Sequence, residues 1–195
     1  MRHLLLAIGF ISLAVATIAF INNRSLRNEI RAALGPEFNT PEERIIRGYD
    51  RPYLQLIADR LLHTKPAGLD GTLLDRYSRP GLLWNDVTFA ISLGIFSTSL
   101  WMWVLMQFGP SGALRYLLVV MTISSLLYAI FDTAEDLALV HAFRTPAAIS
   151  DGEAQIASIL TRLKFVSIVG SVAGAVVFQT LQVIVPDDAK PLFRK

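Results

Sequence analysis

The chain has 195 residues, of which 53% are hydrophobic and 17% charged, with a mean hydropathy of +0.47 and a formal net charge of +2. Apolar content this high, divided among several long runs, exceeds what one soluble core takes in and points to a small polytopic membrane protein. The basic residues are dispersed rather than gathered in a block, which argues against nucleic acid as a partner and leaves lipid headgroups to meet the arginines; the absence of cysteine excludes disulfides, thiolate metal sites and cysteine nucleophiles.

The first apolar run covers about residues 4–21. Ala14-Val15-Ala16 has the small-residue pattern of a signal-peptide cleavage site, but Thr17 to Ile21 extends the run to roughly the length of a bilayer span, and we read it as an uncleaved helix. Its basic, amphipathic extension through Arg24, Arg27 and Arg31 reaches Leu34, where Gly35-Pro36 stops it.

Residues 35–81 form an extramembrane loop too short and too interrupted for a core of its own. Thr40-Pro41-Glu42-Glu43 carries a capping box with proline at the first helical position and predicts a helix start, broken by Gly48 and Pro52. From Pro52 to His63 the apolar residues Tyr53, Leu56, Ile57, Ala58, Leu61 and Leu62 share a face, opposite Gln55, Asp59 and Arg60. That helix either lies on the membrane surface or packs over the end of the bundle. His63 is read as a helix-end residue, with no second ligand at metal-binding spacing.

The second span is predicted at about 82–108, with Trp84 at one end and Trp101 and Trp103 toward the other as interface anchors. Gly109-Pro110-Ser111-Gly112 predicts a tight turn that returns the third span, about 113–143, antiparallel to the second; Thr145-Pro146 ends it. The capping box Ser150-Asp151-Gly152-Glu153 opens the fourth, about 153–185, which stops at Pro186. Within it Gly170 and Gly174, with Ser167, Ser171 and Ala175, form a small-residue stripe that lets another backbone approach closely, read here as a helix of the same chain. With the N-terminus outside, eight flanking Lys and Arg fall on the inner side against five on the outer, which puts loops 22–81 and 144–155 in the cytoplasm. The fold class is therefore all-α, a four-helix transmembrane bundle with short amphipathic helices in the first loop.

Asp132, Glu135 and Asp136 stand at i, i+3 and i+4 on one side of the third span, and Tyr128, Ser125 and Met121 continue that face. Ionised acids facing lipid are penalised by a few kcal/mol each, so the face must point into the bundle or to water. Counting from a turn centred at about 149, Asp136 and Lys164 sit at similar depth, and Lys164 shares its face with Thr161, Ser167 and Ser171. The expected network joins Lys164 to Asp132 and Asp136, with Thr161 donating a hydrogen bond; Arg162 points away toward headgroups. The start of the second span brings Asn85 and Asp86 to the same side, and the apolar continuation from Leu137 to Phe143 argues that the cluster lies within the membrane. The site candidates are thus Asp86, Tyr128, Asp132, Glu135, Asp136, Thr161 and Lys164.

Three of these segments, Asp86-Val-Thr-Phe89, Asp132-x-x-Glu135-Asp136 and Thr161-Arg-Leu-Lys164-Phe165, together resemble a widespread group of small bacterial four-helix membrane proteins. That group carries Asp-x-x-Glu-Asn in its third helix and Thr-x-x-Lys-aromatic in its fourth. The resemblance covers about residues 75–180 and implies a bundle in a bacterial cytoplasmic membrane; it brings no activity with it. Asp136 stands where the group more often has Asn, which adds a negative charge and breaks a simple one-to-one ion pair.

Several functions fit a net-negative polar seam. It locks the helices in register as an ion-pair network; it binds a small amphiphile or cation; it serves an intramembrane enzyme as a carboxylate general acid or base; or the chain is an accessory subunit whose apolar surfaces dock on a larger complex. A lone four-helix chain without broken helices or repeats makes a poor transporter unless it oligomerises. No cofactor is called for. His141 lies half a rotation from Asp132 and no Glu-x-x-His occurs, so metal chemistry is not expected, and Ser125 and Tyr128 lack a histidine base for a hydrolase triad.

Overall fold

The computed structural model describes residues 1–44, 48–65, 71–108 and 112–184. These are helical apart from short connections, and four helices are long and apolar enough to cross a membrane. Helix α1, Arg2–Leu34, ends at Gly35, whose φ of 102° suits a residue without a Cβ and whose N–H donates to the carbonyl of Arg31. The helix start expected at Thr40 closes after a single 3-10 turn, Pro41–Glu43, with the Glu43 carboxylate accepting the Thr40 N–H at 3.0 Å.

Helix α2, Arg51–His63, is capped by the Asp50 carboxylate, which accepts the N–H of Tyr53. Its buried face is Leu54, Ile57, Ala58 and Leu61, so the helix packs over the end of the bundle; Leu56 and Leu62, expected on that face, are exposed. His63 closes the helix, with Nδ1 2.9 Å from the Asp59 carbonyl.

The second span starts earlier than its apolar run. Thr72 and Asp75 form a reciprocal capping box, in which the Asp75 N–H donates to the Thr72 hydroxyl and the Asp75 carboxylate accepts from the Thr72 N–H. From there an α turn, Leu73–Arg76, a π-helical stretch, Tyr77–Asp86, and an α segment, Val87–Phe108, follow without a break and make up α3. The proline that would end an α-helix, Pro80, lies inside the π stretch. Its missing N–H and its ring clash with the carbonyl four residues back are what a wider turn relieves.

Helix α4, Gly112–Phe143, and helix α5, Asp151–Ile184, flank a 3-10 turn, Pro146–Ala148. The Ser150 box forms as expected, the Glu153 carboxylate accepting both the N–H and the hydroxyl of Ser150 while the Ser150 hydroxyl accepts the Glu153 N–H. The turn expected over Gly109-Pro110-Ser111 and the stop at Pro186 lie outside the described residues.

Each span packs antiparallel on the next. Arg2 reaches Gln107 at one end of α1 and Asn23 reaches Asp86 near the other. Gly94 of α3 lies so close to α4 that a Cβ there would stand 2.5 Å from that of Ala129. Along α4 and α5, Ser125 meets Ser171, Asp132 meets Lys164 and Glu135 meets Thr161, so each step up one helix is matched by an equal step down the other. The small-residue stripe of α5 serves this contact, with Gly174 against Met121 and Gly170 near Ser124. Trp101 is not an interface anchor: it is buried, edge-on to Phe178, and its indole N–H donates to Ser171 at 3.0 Å. Trp84 is exposed.

The apolar interior is divided in two. One core, Trp101, Val104, Leu118, Met121 and Phe178, fills one end of the bundle. The other gathers Leu26 and Ile30 of α1, residues of α2 and α3, Leu139 to Phe143 of α4, and Ala154 and Ala157 of α5 into a helical cap at the opposite end. The apolar continuation after Asp136 therefore belongs to the cap: Leu139, Val140, Ala142 and Phe143 are buried under it, while Leu137 and His141 face outward. The acid cluster lies between the two cores.

Candidate functional site

The polar layer is organised by the angular spacing of one helix. Relative to Asp132, Glu135 is rotated to one side of α4 and Asp136 to the other, so the two acids diverge by about 100° although adjacent in sequence. Glu135 turns toward α5 and Asp136 toward α3.

On the α5 side the acids are paired, two carboxylates to one lysine. Lys164 Nζ donates to Asp132 Oδ1 at 2.6 Å and stands 2.5 Å from Glu135 Oε2 as an ion pair. Glu135 Oε1 accepts the Thr161 hydroxyl at 2.5 Å and the Tyr49 hydroxyl at 3.2 Å. Asp132, Glu135 and Thr161 are buried, and the Lys164 side chain is 12% exposed. Desolvation and the nearby Glu135 charge push the Tyr49 hydroxyl well above its usual range, so it stays a donor at any pH the protein meets. Tyr49 also ties the loop to α5, its N–H donating to Ser158 Oγ at 3.2 Å. The preceding Gly48 has a φ of +65° and fits against Ser158 and Arg162, where any Cβ would be 2.6 Å from Ser158 Oγ. Arg162, expected at headgroups, is exposed yet leans on this loop. Tyr49→Phe should cost about 1.5 kcal/mol, the lower end for a bond to a charged acceptor because the contact is long, and thermal unfolding of the detergent-solubilised protein measures it.

On the α3 side they are not. Asp136 is completely buried and, among the described residues, neither of its carboxylate oxygens has a hydrogen-bond partner. It lies within coulombic range of Asp86, Asp132, Glu42 and Lys164. Asp86, on the last turn of the π stretch, is partly exposed and accepts the Asn23 side-chain amide at 2.8 Å. Tyr77 donates to Glu42 at 2.6 Å, and Tyr128 sits buried beside Asp132. Among the described residues no group of three His, Cys, Asp or Glu is arranged to hold a metal ion.

No family model, curated protein or solved structure matches this chain.

All the residues selected from sequence, Asp86, Tyr128, Asp132, Glu135, Asp136, Thr161 and Lys164, fall in this layer. The expected partnership is corrected in one respect: the acids paired with Lys164 are Asp132 and Glu135, not Asp132 and Asp136. Midway between 132 and 164 is 148, one residue before the assumed turn centre, and that shift moves the residue level with Lys164 by two positions, about 200° around α4. Asn23, Glu42, Tyr49 and Tyr77 complete the site and were not selected. Asn23 left a signal, as a polar residue continuing an apolar span; Tyr49 left none, because it sits in irregular backbone where no periodicity assigns a face.

Proposed function

We propose that this chain is a multi-pass membrane protein that binds a small amphiphilic cation, such as a protonated amine on an apolar chain, between α3 and α4. One observation carries the reading: Asp136 presents two fully buried, unpartnered carboxylate oxygens in a layer with several acids and one lysine. Lys164 is already shared by Asp132 and Glu135, and among the described residues no cation is paired with Asp136 or Asp86. An unpaired buried carboxylate costs several kcal/mol and is retained where a positive partner arrives. Asp86, partly exposed, is the point of entry and Asp136 the buried end, reached when α3 separates from α4; the apolar helices around them suit a hydrocarbon tail.

The ion-pair-network reading keeps its own share of the layer. Lys164, Asp132, Glu135, Thr161 and Tyr49 satisfy one another and read as the framework that fixes α4 against α5 and the loop against both. The resemblance and the distribution of arginines favour the bacterial cytoplasmic membrane, with the cap and its loop on the cytoplasmic side.

The test is binding of decylammonium to the protein in lipid nanodiscs, measured over empty nanodiscs and against decanol. The expected result is saturable binding of the amine alone, weakened at least about tenfold by Asp136→Asn, the loss expected for one charge-assisted contact. Equal uptake by protein-loaded and empty nanodiscs would contradict the proposal.

A further inference from the structure

We infer that the cation site is a proton–cation exchange site, in which Asp136 holds a proton when the site is free and releases it when the cation binds. This rests on the cation-binding reading above and adds to it the resident occupant and its fate.

Geometry leads to the proton. The Asp136 oxygens have no exposed surface and, among the described residues, make no hydrogen bond or ion pair. A proton is the one positive occupant that needs no added volume and no rearrangement of helices. Water and larger cations need a separation of α3 from α4 to reach the same oxygens.

The surroundings act in the same direction from each element that faces the group. Asp86 and Tyr77 face it from α3, Asp132 lies one turn back on α4, and Glu42 faces it from the loop. Lys164 faces it from α5, but its ammonium is held by Asp132 and Glu135. The cation of α1 in this neighbourhood, Arg27, lies within coulombic range of Asp86. Asp136 thus has more acid than base around it, and Lys164 is committed to Asp132 and Glu135. A buried carboxyl in that position is neutral until a cation stands beside it.

The step balances without a co-reactant. An ammonium head entering past Asp86 displaces the proton from the Asp136 carboxyl, leaving a carboxylate paired with the ammonium. The proton leaves by the partly exposed Asp86 to water. One positive charge enters as one leaves, so the buried layer keeps its net charge through the cycle, which is the electrostatic reason to couple the two events.

Infrared difference spectroscopy of the protein in nanodiscs, with and without saturating decylammonium at neutral pH, tests this together with the pH change of a weakly buffered sample. The free protein should show the C=O stretch of a protonated carboxyl, absent from Asp136→Asn and lost on amine binding, with one proton released per amine bound. If Asp136→Asn fails to fold, carboxyl-13C aspartate in the wild-type chain should shift the same band, which identifies an aspartate without any substitution. Saturable amine binding with no protonated-carboxyl band and no proton release would overturn the exchange while leaving cation binding intact. Absence of amine binding would defeat both.

Discussion

Lys164→Met destabilises the protein by about 3–5 kcal/mol, enough to abolish accumulation of folded protein, because it strands two buried acids at once. Asp132 and Glu135 both lose the one cation paired with them among the described residues, and at 4% and 0% exposure they have little surface through which water could take its place. The size of the effect measures the uncompensated charges rather than the net worth of the ion pairs. The combined variant Lys164→Met/Asp132→Asn/Glu135→Gln should therefore recover to within about 1 kcal/mol of wild type, since a buried ion pair is often no more stabilising than a neutral replacement of similar volume. Urea unfolding in detergent, followed by helical circular dichroism, reads both variants. If the single variant is as stable as wild type, the contacts around Lys164 do not hold the helices.

Leu139→Ala costs about 2–5 kcal/mol, whereas Leu137→Ala, two residues earlier, changes stability by no more than about 0.5 kcal/mol. Leu139 is 0% exposed in the cap core, and its truncation leaves a cavity in a core drawn from all five helices. Leu137 is 49% exposed on the outer face of α4. A segment whose apolar residues simply faced lipid would respond to both substitutions alike. Thermal melts of the two variants separate the cases, and equal effects would contradict the assignment of residues 139–143 to the cap.

The same segment shows what a sequence carries and where it stops. Spans, caps and the antiparallel pairing of α4 with α5 are local properties: apolar periodicity, Ser150 with Glu153, Gly35 after the last turn of α1. The carboxylates, Thr161 and Lys164 could be brought to one layer by counting residues. The choice between Glu135 and Asp136 could not, because neighbouring residues point about 100° apart and a count across a turn does not resolve one residue. The start of α3 lies in the Thr72 and Asp75 capping box, ahead of the apolar run that hydropathy marks, and a π-helical stretch accommodates Pro80 between the two. Hydropathy marks the apolar run after Asp136 without telling its cap-facing residues, Leu139, Val140, Ala142 and Phe143, from the outward-facing Leu137. Tyr49 reaches Glu135 across the fold from irregular backbone, and such a contact is visible only in three dimensions.

The division of the polar layer into a framework around Lys164 and a ligand-facing pair, Asp136 and Asp86, is tested most directly by decylammonium binding to two variants side by side. A site at Asp136 predicts that Lys164→Met/Asp132→Asn/Glu135→Gln folds and binds the amine at least as tightly as wild type, while Asp136→Asn folds and binds it at least about tenfold more weakly. Retention of binding by Asp136→Asn together with its loss in the triple variant would place the ligand at the Lys164 network and contradict the division.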